Sequence, residues 1–202
     1  MFALPALRGG GELGEPWHQG GMKERKQNVF DDFIAAAEWL IANRYTQPSK
    51  LAISGGSNGG LLVGAALTQR PDLFAAVVCS YPLLDMVRYH QFLVARYWVP
   101  EYGSTEDPAQ FKYIYAYSPY HHVKANGTYP AVLVVSGDSD TRVAPLHARK
   151  MAAMLQSVRD NPNPALLKYD TEAGHAGTLP LPKQIDNLTD ELSFLLWRLG
   201  ML

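Results

Sequence analysis

The stretch Leu51-Ala52-Ile53-Ser54-Gly55-Gly56-Ser57-Asn58-Gly59-Gly60 decides how the rest of the chain is read. Leu51 to Ile53 is a short apolar strand, and Asn58 to Gln69 reads as a helix stopped by Arg70-Pro71, because the residue before a proline is driven out of the helical region. Between them Gly55, Ser57 and Gly59 form GxSxG. By composition alone three such positions match somewhere in roughly one chain in ten of this length, so the spelling by itself is only suggestive. The strand before it and the helix after it raise its weight. The glycines permit a sharp turn and a close approach of strand to helix, which holds the Ser57 hydroxyl clear of the sheet at a helix N-terminus.

Outward from this turn the chain alternates strands with helices. Phe2 to Leu7 reads as a strand, followed by a Gly-rich stretch through Gly21. Asn28 is a candidate N-cap, with Asp31 and Asp32 in the first turn of a helix whose Phe30, Phe33, Ile34, Ala37, Leu40 and Ile41 recur at helical spacing. Ala75 to Ser80 is a strand. Tyr81 to Tyr129 is less regular, rich in Tyr and His, with short helices, a region suited to carrying specificity. Ala131 to Val135 is the clearest buried strand, and Pro145 suits the first turn of a helix with Met151, Met154, Leu155 and Val158 on one face. Ala165 to Tyr169 makes a further strand, and Ile185, Leu188, Leu192, Leu195 and Leu199 stripe a closing helix. Five strands alternating with helices predict an α/β fold with a mostly parallel sheet, helices on both faces and ligand chemistry at the carboxyl ends of the strands.

Composition excludes several classes. The 202 residues are 47% hydrophobic and 18% charged, which fits one compact domain over 1–202 with no repeat or linker. Eighteen Lys and Arg nearly cancel nineteen Asp and Glu, and a net charge of -1 supplies no field for nucleic acid or an anionic membrane, so neither is expected as a partner. The single Cys79 lies in the apolar run Ala75 to Cys79 and reads as a buried inert thiol. Met1 to Leu7 has no basic residue before it, resembling a strand more than a secretory signal, and no apolar run approaches a membrane span; a cytoplasmic chain is the expectation. No GxGxxG or phosphate-loop lysine follows the first strand, which disfavours a nucleotide-binding domain.

A serine on such a turn needs a base to take its proton and a carboxylate to orient that base, in the chain order nucleophile, acid, histidine. His175, in Glu172-Ala173-Gly174-His175-Ala176-Gly177, follows the last strand. Asp140 and Asp138, in Ser136-Gly137-Asp138-Ser139-Asp140-Thr141-Arg142, follow the strongest strand and compete for the acid, either being able to serve as a turn-forming aspartate. These loops belong at the same sheet edge as Ser57. His121 and His122 are adjacent, point in divergent directions and have no Cys or carboxylate at metal spacing. His18, His90 and His147 read as helix-end or surface residues, so neither a metal nor a cofactor is expected.

Taken in order, Arg8-Gly9-Gly10-Gly11-Glu12, Trp17-His18, Gly55-Gly56-Ser57-Asn58-Gly59-Gly60, Arg70-Pro71-Asp72-Leu73-Phe74, Asp140-Thr141-Arg142-Val143 and Ala173-Gly174-His175 resemble the catalytic domain of the prolyl oligopeptidase family across nearly the whole chain. The resemblance implies an α/β-hydrolase fold, with Ser57 as nucleophile, Asp140 as the acid and His175 as the base. It assigns the backbone N–H of Asn58 to the oxyanion, as expected of the residue after the nucleophile. It matches Arg142 to an arginine that holds a substrate carbonyl and Trp98, in Tyr97-Trp98-Val99-Pro100-Glu101-Tyr102-Gly103, to a tryptophan that stacks on a substrate proline, with Tyr102 and Val143 beside them in substrate binding.

The chain also departs from the family pattern. It has no room for the family's β-propeller, and it begins near what resembles the fourth strand of the hydrolase sheet, without the first three strands and an upstream oxyanion tyrosine. Losing one oxyanion donor costs about a hundred- to a thousandfold in rate, so weak activity is expected. The gap predicts either that Phe2 to Leu7 moves beside Leu51 to Ile53 or that a second copy covers the open edge, giving a homodimer or higher oligomer. The expected activity is a serine hydrolase acting on small peptides or esters, with a carboxylesterase as the alternative and, in a different class, an inactive fragment or binding domain.

Overall fold

In the computed structural model, which describes residues 1–175 and 180–202, four parallel strands carry the fold. They are β1 (Ala52–Gly56), β2 (Ala76–Ser80), β3 (Ala131–Gly137) and β4 (Ala165–Asp170), paired in the order β1-β2-β3-β4. Seven α-helices flank or connect them among the described residues: α1 (Glu15–Gln19), α2 (Gln27–Ala42), α3 (Asn58–Gln69), α4 (Val99–Tyr102), α5 (Pro108–Tyr117), α6 (Leu146–Gln156) and α7 (Leu181–Arg198). The central strands β2 and β3 are buried along their whole length, which is why their sequences are almost unbroken apolar runs. The outer strands β1 and β4 are only partly covered.

The two faces of the sheet have different cores. On one, Ile53, Val77, Cys79, Val132 and Val134 meet Val63, Ala66 and Leu67 of α3 and Ala148, Met151 and Leu155 of α6. Each fully buried Val or Leu there contributes about 1.5–3 kcal/mol relative to exposure. On the other, Ala76, Val78, Ala131, Leu133 and Val135 meet Phe194 of α7. A third cluster joins Val29 and Phe30 of α2 and Leu61 and Ala65 of α3 to Leu83, Met86, Tyr89, Tyr102, Ile114, Tyr117 and Val143, so the Tyr-rich segment packs onto the helical layer near the carboxyl ends of the strands. Cys79 is buried, and burial pushes its thiol pKa up, consistent with an inert side chain.

Four expectations change. Phe2 to Leu7 is not a strand, so the described sheet has four strands rather than five. Phe2 and Leu4 are more than four-fifths exposed, at 88% and 85%, and no described strand pairs with them; the segment is tied down at Arg8, whose backbone N–H and guanidinium donate to Asp32. The open side of β1 is therefore not filled by this segment. Asn28 does not cap α2: it lies inside the helix, where its side-chain amide donates to the Gly20 carbonyl at 2.8 Å, and Lys26 occupies the cap position.

The fourth change concerns α7. Leu181, Ile185, Leu188 and Leu192 are exposed, by 48% at the least, although they form one apolar stripe. At about 100° per residue, Ile185 and Leu192 lie about 180° and 160° around the helix from Phe194, the residue that α7 buries against the sheet. Only Leu195, between the two faces, is partly buried in that core. No described helix is long and apolar enough to cross a membrane.

Candidate active site

Ser57 sits between β1 and α3 with φ 58° and ψ -116°, a conformation that costs a non-glycine residue on the order of 1–3 kcal/mol. The surroundings hold it there. Its N–H donates to the Ser80 carbonyl at 2.8 Å, fixing the turn to the end of β2, and its own carbonyl accepts from Leu61 N–H at 3.2 Å. Gly55 permits the turn by its lack of a side chain, since a Cβ there would collide with the Gly59 carbonyl oxygen. Asn58 follows as the first residue of α3, where backbone N–H groups have no intrahelical acceptor and a helix N-terminus favours negative charge.

The loops after β3 and β4 are drawn together by their own backbones. Asp138 N–H donates to Asp170 O at 2.9 Å and Ser139 N–H to Ala173 O at 3.1 Å. Gly137 ends β3 against Ala173, and any Cβ there would strike the Ala173 carbonyl. Two residues further on, His175 points its Nδ1 at Asp140 Oδ2, 2.7 Å away, and its Nε2 at Ser57 Oγ, 3.2 Å away. The other oxygen of Asp140 accepts from the N–H groups of Arg142 and Val143, both at 2.8 Å. Asp140 is 3% exposed and its carboxylate is thus held by three hydrogen bonds in one orientation. Asp138 is exposed and accepts from the neighbouring Ser139 hydroxyl, which separates the two competing aspartates. Ala176 and Gly177, part of the same motif, lie outside the described residues.

The four residues expected to contact substrate fall into one neighbourhood. Tyr102 and Val143 belong to the same buried apolar cluster, Trp98 packs against it half-buried, and the Arg142 guanidinium lies 5.5 Å from the Trp98 ring centre. The Tyr102 hydroxyl donates to Asn58 Oδ1 at 2.7 Å, a link between the two motifs that sequence spacing does not reveal. Tyr81, the residue after β2, meets the His175 ring edge-on at 5.6 Å. Its place just past the carboxyl end of a strand was the available signal.

His147 differs from the expectation of a helix-end or surface residue. It is at the start of α6, but only 2% exposed, and its Nδ1 accepts from Asp85 N–H at 3.1 Å. Burial pushes its pKa down to about 4, so it stays neutral. The fully buried Asp85 carboxylate is paired with Lys150 and with Arg88, the latter at 2.7 Å. Burial alone would raise its pKa, but hydrogen bonds from Lys150 and Arg88 outweigh it and hold the carboxyl below the usual range.

A strained serine on a strand–helix turn, a histidine and a buried aspartate from successive loops, all at the carboxyl edge of a parallel sheet, define the class: an α/β-hydrolase catalytic domain. The model of the prolyl oligopeptidase family matches residues 1–202, and the chain belongs to that family. It is 44% identical to a prolyl endopeptidase of Elizabethkingia miricola over 202 residues, all of this chain and 29% of that protein. A solved prolyl endopeptidase superposes with a TM-score of 0.94 at 56% identity, over 97% of this chain and 29% of the other. A post-proline cleaving enzyme from Rickettsia typhi superposes with a TM-score of 0.93 at 37% identity, over 96% of this chain and 28% of the other. The chain thus spans less than a third of the length of these relatives.

Proposed function

We propose that the chain is a serine hydrolase of the prolyl oligopeptidase type, cleaving peptide or ester bonds through an acyl-enzyme. The observation that carries this reading is the hydrogen-bonded line from Ser57 Oγ through His175 to the buried Asp140. In the reaction, Ser57 Oγ attacks the carbonyl carbon while its proton passes to His175 Nε2. Asp140 keeps Nδ1 protonated, so that Nε2 is the free base, and stabilises the imidazolium that forms. The oxyanion forms beside the Asn58 N–H. His175 then protonates the leaving amine or alcohol, the acyl group stays on Ser57, and water, deprotonated by His175, releases it. No step requires a cofactor.

Trp98, half-buried over the buried Tyr102 and Val143, offers an apolar face suited to a proline ring, with Arg142 at its border to receive a carbonyl; the names of the similar proteins, prolyl endopeptidases and a post-proline cleaving enzyme, support that specificity. Esters have better leaving groups than amides and make smaller demands on the oxyanion site. We therefore expect turnover of a short-chain aryl ester to exceed that of a prolyl anilide, and comparable rates on the two would overturn that ranking. The first experiment is intact mass after fluorophosphonate treatment of wild type and Ser57→Ala. One adduct on wild type and none on the variant is the expected result. No adduct on wild type would favour an inactive fragment or binding domain.

For the 202-residue chain by itself we further propose association with a second copy. The open side of β1 exposes Ser54, and the stripe from Leu181 to Leu192 leaves apolar surface uncovered, both of which association can bury. Light scattering giving the mass of one chain across micromolar concentrations would sink this.

A further inference from the structure

Lys26 is buried to 2% exposure, and its burial has no part in the mechanism above. Taking an ammonium out of water costs several kcal/mol, and an apolar side chain of similar volume could fill the same space at less cost. Its partners are specific. Nζ donates to Glu101 Oε1 at 2.9 Å, and the other oxygen of Glu101 lies 3.0 Å from His18 Nε2. The same ammonium stands 4.9 Å from the centre of the Tyr102 ring, within cation–π range. Tyr89 packs T-shaped with that ring, at 5.5 Å and 82°. The Tyr102 ring is thereby held between Lys26 and Tyr89, and its hydroxyl donates to Asn58 Oδ1 at 2.7 Å.

Asn58 matters because its N–H shares a peptide plane with the strained Ser57. A neighbour that holds the Asn58 side chain restrains the tilt of that N–H toward the oxyanion. We propose that Tyr102 is a positioning residue that acts through the Asn58 side chain to aim the Asn58 backbone N–H, and that His18, Glu101 and Lys26 buttress it. This rests on the hydrolase reading. It separates two jobs of one residue, since the Tyr102 ring walls the apolar cluster while its hydroxyl serves the nucleophile turn. It also gives the Trp17-His18 motif a task, linking the segment from α1 to Lys26 with the reacting centre across 83 residues between His18 and Glu101.

The test uses the 202-residue chain with an aryl ester and a fluorophosphonate, comparing wild type, Tyr102→Phe, Asn58→Ala and the double variant. Tyr102→Phe keeps the ring and removes one oxygen. We expect it to lower kcat and the labelling rate about tenfold with KM within twofold, because misaiming an oxyanion donor costs less than losing it. Asn58→Ala keeps the N–H and loses the restraint, so it should match, and the double variant should be no slower than either single one. Glu101→Gln, which preserves shape, should cost about threefold in kcat on the wild-type background and nothing further on Tyr102→Phe. Wild-type labelling with an unchanged kcat in Tyr102→Phe, a change in KM alone, or losses that multiply in the double variant would overturn the proposal and leave the hydrolase reading standing. A wild-type chain that takes no label would overturn both.

Discussion

Among the described residues two groups of serine, histidine and aspartate share residue types but not surroundings. In the first, His175 joins Ser57 Oγ at 3.2 Å to Asp140 at 2.7 Å. In the second, His121 Nδ1 lies 2.8 Å from Ser118 Oγ, and its Nε2 is 3.8 Å from Asp85 Oδ1. The residue types are the same, but the environments are opposite. Ser57 is strained, half-buried and at the mouth of a helix, whereas Ser118 is fully buried with ordinary angles of φ -61° and ψ 107°. Ser118 Oγ already accepts from Met86 N–H at 3.0 Å, which leaves no approach for a carbonyl. Asp85 is turned toward Lys150 and Arg88, so its charge holds cations rather than orienting an imidazole. The second set ties the Tyr-rich segment to α6. The two sets also differ in connection: His175 hydrogen-bonds to both Asp140 and Ser57, whereas His121 hydrogen-bonds to Ser118 but stands 3.8 Å from Asp85 Oδ1, beyond hydrogen-bond reach.

Exchanging the acids gives the largest expected contrast. Asp140→Asn leaves His175 with the wrong tautomer and should lower turnover and labelling by about 10⁴, with little change in the unfolding midpoint. Asp85→Asn should do the reverse: turnover within a few-fold of wild type, but about 3 kcal/mol of stability lost in urea unfolding, because a buried charge pair is broken. Equal losses of turnover in both variants would erase the distinction between the two sites.

Acid should act on the second site through stability. His147 has its pKa depressed to about 4, so between the ordinary histidine value of 6.5 and 4 the unfolded chain binds more protons than the folded one. Stability therefore falls as pH falls through that window, by an amount approaching about 3 kcal/mol. Asp85 adds to this lower down: its carboxyl is held below its ordinary pKa, so its contribution is present above that value and is lost as pH drops through the folded one. His147→Gln should flatten the slope between pH 6.5 and 4, and an unchanged slope in urea titrations at several pH values would show that His147 does not carry it. The smallest effect is expected for Ser118→Ala, about 1–2 kcal/mol from the Met86 N–H left without its acceptor, with the fluorophosphonate adduct unaltered.

Much of the fold was legible because local rules govern it. The central strands β2 and β3 announced themselves as apolar runs, and α3 was readable residue for residue, from the turn glycines to the proline after Arg70. The positions of Ser57 and His175 were legible for the same reason: each follows a strand, and both side chains meet at the carboxyl edge of the sheet. The residues alone left the acid open between Asp138 and Asp140, and the resemblance named Asp140; in the structure the surroundings of the two differ, Asp140 turning inward to His175 and to two backbone N–H groups while Asp138 is exposed.

Periodicity and turn chemistry determined that a closing helix carries an apolar stripe through Ile185, Leu188 and Leu192 and that a serine stands on a strand–helix turn, since each depends on neighbours within a few positions, while the parallel sheet followed from the alternation of strands with helices. Only the tertiary structure decided that this stripe faces outward while Phe194 faces in, that Phe2 to Leu7 finds no strand to pair with, and that Lys26, one more polar residue in sequence, lies buried against Glu101 and Tyr102. Those outcomes depend on which surfaces far apart in the chain come to face each other. Burial, and with it charge, strain and reactivity, is a property of the pair of surfaces and not of either stretch of sequence.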